Sequence, residues 1–212
     1  MTEQVIQDLN VLFEQDISMT KGQRKVLQAA VALFATQGFD GTSTAQIATR
    51  SQMSQGTIFK YYPTKKELLR AIIDPAIDHL FPTYGVNFVD HQVPKNVKIE
   101  EFVRVVVANR LTFVYTNRHI LQILANEFLI NDALVAETKQ RLGPIIQRLL
   151  DQVTLLLVDE QMQPAEFMRL LVGQMMYEFI RMTRLTPAAE YDITATANSI
   201  TTVMIAAIKQ SK

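Results

Sequence analysis

The stretch TSTAQIATRSQMSQGTIFKYYPTKKELL, residues 42–69, constrains this chain more than any other, because it packs several helix-start signals close together. Ser43 with Gln46 three residues on is a capping-box pair, opening a short helix whose small apolar face is Ile47 and Ala48. Ser54 is the natural N-cap of a second helix, Gln55 to about Tyr62, which Pro63 ends. Thr64 with Glu67 is another capping box and opens a longer helix. Between the first two helices Arg50-Ser51-Gln52 makes the turn and Met53 plugs the core. The second helix should present Gln55, Thr57, Lys60 and Tyr61 outward while Ile58, Phe59 and Tyr62 look inward. Two helices, a tight turn and a polar, basic second helix form a helix-turn-helix pattern.

The charge distribution points the same way. Formal net charge is zero, but residues 1–19 carry four acids and no Lys or Arg, while residues 20–70 carry eight Lys or Arg against only Asp40 and Glu67. Residues 71–212 are close to balanced, with 13 bases and 15 acids. Positive charge concentrated on the segment with the motif is the electrostatic footprint that DNA binding requires.

The rest of the chain reads as helices. Val5, Leu9, Leu12 and Phe13 have helical spacing in an extension over residues 1–19, which either packs on the following domain or forms an arm; its acidity argues against contact with DNA. Thr20 and Gln23 open a helix whose buried stripe is Val26, Leu27, Ala30, Leu33 and Phe34, and Gly38 is its C-cap. The helix from Lys65 runs toward Leu80, and Pro75 should bend it. Residues 81–97 hold two prolines and Gly85 without helical period, and are expected to form a connecting loop. Helices follow over about 99–115, 118–130, 132–158 with an interruption at Gly143-Pro144, 164–185 and 188–210. No segment alternates as a strand does. The expected architecture is all-α, a three-helix DNA-binding domain over residues 20–70 and a helical bundle over residues 71–212.

Composition removes several function classes. There is no Cys, so disulfides, zinc-cysteine sites and thiol catalysis are excluded. His79, His91 and His119 lie in separate segments with no metal-ligand spacing, and no Gly-rich phosphate loop is present, so neither an enzyme nor a metal or other cofactor is expected. No signal peptide and no apolar run of roughly 20 residues is found, which predicts a cytoplasmic protein off the membrane.

The run from Arg24 to Leu69 resembles the N-terminal domain of the tetracycline-repressor (TetR) family of bacterial transcriptional regulators. The matching residues include Ala29-Ala30, Leu33-Phe34, Gly38-Phe39, Thr42-Ser43, Ile47-Ala48, Ser54, Gly56-Thr57-Ile58-Phe59, Tyr61-Tyr62, Lys65 and Leu68. The chain departs from the pattern at Ser51-Gln52-Met53, where the family usually reads Ala-Gly-Val, so the resemblance implies a left-handed Gln52 at a cost of about 1 kcal/mol relative to glycine. At Phe59 it departs again, losing the hydroxyl of a frequent tyrosine, and Pro63 shortens the next link. The resemblance implies a ligand-responsive homodimeric repressor on a palindromic double-stranded operator. The alternative is a ligand-binding or interaction protein of the same fold with little sequence-specific DNA affinity.

On this reading Gln55, Thr57 and Lys60 reach base edges and Gly56 allows close approach to the backbone, while Thr42, Thr44, Tyr61 and Lys65 hold phosphates. In the last two helices Phe167, Leu171, Gln174, Ala197, Ile200 and Met204 recur at spacings of three and four. Such stripes are either internal core or, as the resemblance implies, a dimer interface. A small-molecule effector of unknown identity is expected in the larger domain. Its lining would come from Asn109, Phe113, Glu127, Phe128, Met175, Tyr177 and Phe179, with Glu127 either meeting the ligand or paired with Arg110 or Arg181.

Overall fold

The structure, a computed structural model, describes residues 9–88, 97–158, 162–186 and 190–210, and among these it is helical throughout with no strand. In chain order the α-helices are α1 (Leu9–Gln15), α2 (Lys21–Gly41), α3 (Thr44–Ser51), α4 (Gln55–Tyr61), α5 (Lys65–Pro75), α6 (Phe81–Asn87), α7 (Ile99–Thr116), α8 (Arg118–Phe128), α9 (Asp132–Leu156), α10 (Pro164–Ile180) and α11 (Ile193–Gln210). No helix among the described residues is long and apolar enough to cross a membrane.

The chain divides into two compact units, one formed within Met1–Tyr84 and His119–Gly143, the other within Gly85–Arg118 and Pro144–Lys212. In the first, α2 packs on α3, α4 and α5. Leu27, Phe34, Ile47, Ile58, Leu68, Ile72 and Ile73 are fully buried there, so the stripe on each short helix finds a partner. α1 packs on α2, with Leu9 and Phe13 buried. Arg24 ties this contact by donating from Nε to the Phe13 carbonyl at 2.9 Å and from Nη2 to that of Asp16 at 2.7 Å. These carbonyls lie at the end of α1, where the regular helix no longer supplies a donor to each; that of Asp16 also accepts the Met19 amide at 3.2 Å. The extension therefore packs on the domain, although Val5 lies outside the described residues.

Two proline sites show how a helix accommodates a missing donor. After Pro75 the backbone widens into a π-helical turn over Ala76–Leu80, a local solution to the lost hydrogen bond. Pro144 was expected to interrupt α9, yet α9 runs unbroken from Asp132 to Leu156 with the proline inside it. One lost bond is absorbed in a helix of 25 residues, because propagation on both sides is already favourable.

The expected loop over 81–97 needs a similar correction. Phe81–Asn87 form α6 directly behind the π turn, with Tyr84 buried, and Pro82 sits in the first turn, where proline is tolerated. A helix that continues an existing one avoids the nucleation cost, so it forms without a strong apolar period. Residues 89–96 of that segment lie outside the described residues.

The second unit is built on long-range packing. α7 packs on α10 and α11, and Phe102 stacks on Phe167 with centroids 6.0 Å apart. Phe167, Leu171, Ala197, Ile200 and Met204, read as a possible dimer interface, lie in this internal core. Gln174 is half-buried beside them. Helical spacing shows that one face of a helix is covered; here α7 of the same chain covers it. The opposite face of α10 is left apolar and exposed, at Val172, Met176 and Ile180, and Val203 is exposed on α11.

Candidate nucleic-acid interface

The helix-turn-helix is assembled by local hydrogen bonds at each helix end. Ser43 and Gln46 form the reciprocal box at the start of α3, with the Ser43 amide donating to Gln46 Oε1 at 2.7 Å and the Gln46 amide to Ser43 Oγ at 3.2 Å. Gln52 then takes the left-handed conformation, with φ 58° and ψ 34°, and its amide closes α3 onto the Ala48 and Thr49 carbonyls. Ser54 Oγ accepts the Thr57 amide at 3.0 Å and starts α4. The turn thus forms as expected, with Gln52 in the place that suits glycine.

An elbow between α2 and α3 sets where this motif sits. Gly38 breaks the regular helix with φ 76°, and the Thr42 hydroxyl donates back to the Gly38 carbonyl at 2.8 Å. Lys65, on the first residue of α5, donates from Nζ to the Phe39 carbonyl at 2.8 Å and to that of Thr42 at 3.0 Å. The same ammonium lies 4.3 Å from the centre of the Phe39 ring. Two expected phosphate contacts are corrected here. Thr42 is buried, with its hydroxyl engaged within the chain, and Lys65 is first a brace that spends two of its three N–H groups on carbonyls.

On α4, Gln55, Gly56 and Lys60 are exposed, and Thr57 and Tyr61 are half-buried. The Thr57 hydroxyl shares a 2.8 Å bond with Ser54. Thr44, at the start of α3, donates to Gln55 Oε1 at 3.3 Å, so these two expected contacts stand side by side. A Cβ on Gly56 would meet only Ser54 Oγ, at 3.8 Å, so nothing in the chain itself excludes a side chain there. A Cβ on Gly22 would come within 2.8 Å of the Tyr61 hydroxyl and 3.0 Å of Met53 Cε, so the start of α2 must be bare for Tyr61 to lie against it. Tyr62 points into the core, and burial pushes its phenol up to about 12. Phe59, expected inward, is 42% exposed. On a helix this short Ile58 and Tyr62 already fill the inner face.

Further cations surround the motif. Lys21, Lys25, Arg50, Lys60 and Lys66 are exposed and form no ion pair among the described residues. Lys25, Gln28, Arg50 and Gln52 line an open groove between α2 and the turn. Lys25 and Arg50 carry no motif of their own, and only the charge count of the segment signals them.

The residues expected around an effector divide between the two units. Glu127 and Phe128 belong to the first unit, and Asn109, Phe113, Met175, Tyr177 and Phe179 to the second. Tyr177 is 56% exposed, which removes it from an internal lining. Glu127 is buried, and burial, with Asp40 nearby, holds its carboxyl above the usual range. Arg181 is not its partner: Arg181 donates to Glu178 at 2.6 Å and to Thr196 at 2.7 Å. Tyr191 also donates to Glu178, at 2.8 Å, so the buried carboxylate that Arg181 serves is Glu178, with two donors on its Oε2. Arg110 lies over the Phe88 ring, 4.4 Å from its centre. Among the described residues no group of three or more His, Asp or Glu gathers as metal ligands would.

Residues 26–72 match the family model described as bacterial regulatory proteins, tetR family. The chain is 43% identical over 49 residues to the HTH-type transcriptional repressor Rv3405c of Mycobacterium tuberculosis, covering 23% of this chain and 26% of that protein. It is 30% identical over 63 residues to the regulator YuxN of Bacillus subtilis, covering 30% of this chain and 22% of that one. The match thus spans about a quarter of the length of these curated relatives. The fold extends much further. A tetR-family regulatory protein from Rhodococcus superposes with a TM-score of 0.62 at 17% identity, over 90% of this chain and 98% of that one. The regulator FadR of Bacillus subtilis, in complex with stearoyl-CoA, gives 0.56 at 15% identity, over 85% of this chain and 96% of that one.

Proposed function

We propose, from the match of residues 26–72 to the tetR family of bacterial regulatory proteins, that this chain is a DNA-binding transcriptional regulator acting as a homodimeric, ligand-responsive repressor. The observation that carries the reading is the helix-turn-helix itself, with side-chain caps opening both helices, a turn closed at Gln52, and surrounding cations that have no acidic partner among the described residues. Gln55, Thr57 and Lys60 read base edges, Gly56 admits the backbone closely, and Thr44 and Tyr61 contact phosphates. Unpaired Lys21, Lys25, Arg50 and Lys66 add attraction independent of sequence. The turn closes with Gln52 in the left-handed conformation, which supports this reading over a fold-mate without specific DNA affinity.

One recognition helix contacts few base pairs, so the reading includes a twofold copy on a palindromic operator, with half-sites about one helical turn apart or a multiple of it. The exposed face formed by Val172, Met176, Ile180 and Val203 is the surface for that copy, in place of the buried stripe. The effector lining narrows to Asn109, Phe113, Met175 and Phe179 on α7 and α10. A mostly apolar small molecule with one polar group suits it, and the fold shared with a regulator that carries stearoyl-CoA supports the apolar part, through that ligand's acyl chain. The effector would favour the conformation whose recognition helices are mis-spaced for DNA.

The test is a mobility shift on the DNA upstream of the protein's own gene, at physiological salt, with bulk DNA as competitor. A retarded, competitor-resistant complex is expected. Binding no stronger than to bulk DNA would leave the alternative standing.

A further inference from the structure

We propose that Phe59 is a specificity residue that reads thymine, by packing its ring against the C5-methyl group in the major groove. The inference rests on the DNA-binding reading above and deepens it, naming the kind of base pair the recognition helix selects.

The observation is a phenylalanine with 42% of its surface exposed on α4. Single exposed apolar residues are ordinary on most surfaces. This one differs in its neighbours. The rest of the outward face of α4 is Gln55, Gly56 and Lys60, with Lys66 exposed just beyond, all polar, bare or cationic. A basic surface of this kind suits a polyanion better than an apolar protein face. Phe59 is also four residues on from Gln55, so the two stand as neighbours on one flank of the helix. The helix has seven residues, or about 10 Å of axis at 1.5 Å per residue. A helix that short cannot place Gln55 at a base edge while keeping Phe59 away from the groove.

The chemistry then chooses the base. A phenyl ring offers neither donor nor acceptor. Adenine, guanine and cytosine present polar atoms to the major groove, and covering them with a ring removes their water without replacing it. Thymine alone presents a methyl group there. The ring therefore favours thymine by contact and disfavours the others by desolvation, which is how a single side chain discriminates in both directions. Beside it, the Gln55 carboxamide matches the N6 and N7 edge of adenine. Its oxygen already accepts from Thr44 at 3.3 Å, and a carboxamide oxygen has a second lone pair for the base. Gln55 and Phe59 together give each half-site a core of A·T pairs.

The test begins with sites selected by the wild-type protein from a random duplex library. If no sequence is enriched, the DNA-binding reading fails and takes this inference with it. With a site in hand, each thymine is replaced in turn by deoxyuridine, which lacks only the methyl group. Wild-type affinity should fall about fourfold at one position in each half-site, the worth of one buried methyl. Phe59→Ala should bind the thymine and deoxyuridine duplexes equally, with the salt dependence of binding unchanged, and Phe59→Leu should retain part of the preference. Equal wild-type binding to every deoxyuridine duplex, or a methyl preference that survives Phe59→Ala, would overturn the assignment while leaving sequence-specific DNA binding intact.

Discussion

The two units hold their helices by different means. In the first, α3 and α4 have only eight and seven residues, below the length at which a helix persists alone. Every helix from α2 to α5 there starts at a side-chain cap, on Thr20, Ser43, Ser54 and Thr64, and three of the four are reciprocal capping boxes. In the second, α7 and α10 have 18 and 17 residues and begin at Lys98 and Gln163 with no side-chain cap bond. Their stability comes from the shared apolar core. Among the helix starts described in that unit only α11 has a cap bond, from the Ala195 amide to the Asp192 carboxylate at 2.9 Å. Short helices that must present an outward face to a partner cannot bury enough of themselves, so caps make up the difference.

Charge is handled differently as well. The first unit joins α5 and the π turn to α9 through a partly exposed lattice: Arg70 grips Glu137 with two bonds of 2.8 and 2.6 Å, and Arg141 meets Asp74, Asp78 and Glu137. The second unit buries one carboxylate, Glu178, and surrounds it with Arg181 and Tyr191, whose ring stacks on Tyr115 at 5.8 Å. A partly exposed lattice is worth little per pair, whereas removing one partner of a buried pair is costly.

The sharpest way to test this contrast is in the core of the second unit. Phe167→Ala should destabilise the protein by about 3–5 kcal/mol in chemical denaturation, because a fully buried ring leaves a cavity. Met176→Glu, on the exposed face of the same helix, should leave the monomer folded and shift sedimentation at micromolar concentration from dimer to monomer. If the two variants exchanged these phenotypes, the assignment of inner and outer faces would be inverted.

In the first unit, losses should be local and smaller. Ser43→Ala should cost about 1 kcal/mol by removing the α3 cap, and it should weaken DNA binding through fraying of α3. A denaturation midpoint equal to wild type would mean that packing, not capping, holds that helix. Gln52→Gly should do the reverse and gain up to about 1 kcal/mol, since glycine occupies the left-handed region without strain. A loss of stability there would show that the Gln52 side chain contributes more than its backbone costs.

The smallest effect concerns pH. Glu127 has its carboxyl raised by burial and by Asp40, so the native state holds that proton more tightly than the unfolded chain does. Its contribution is favourable in acid and is lost as pH rises through the ordinary glutamate range to the raised value. Glu127→Gln should flatten this part of the melting-temperature profile and raise the melting temperature at neutral pH. An unchanged profile would show that another group carries the dependence.

What could be read in advance follows the same division. The caps at Thr20, Ser43, Ser54 and Thr64, the break at Gly38 and the left-handed Gln52 all depend on residues a few positions apart. Those are the interactions a linear pattern displays. Thr42 and Lys65 were assigned to phosphates because their mutual contact spans 23 residues, which no local pattern reveals. Phe59 differs, since its inward place is taken by Ile58 and Tyr62 on the same short helix, and which of the three apolar residues turns inward is decided by the packing of α4 on α2.

The sequence by itself determined that this chain is helical, where the helix-turn-helix lies, how each of its short helices starts, and that its cations gather there. Helix capping and charge composition are local, and they need no knowledge of the fold. Only the tertiary structure decided which face of α10 and α11 is core, that Arg181 serves Glu178 and not Glu127, and that α9 passes through Pro144 unbroken. A periodic stripe states that something covers it, and a buried charge states that something answers it. The partner in each case is fixed by contacts between residues far apart in the chain, and periodicity carries no record of them.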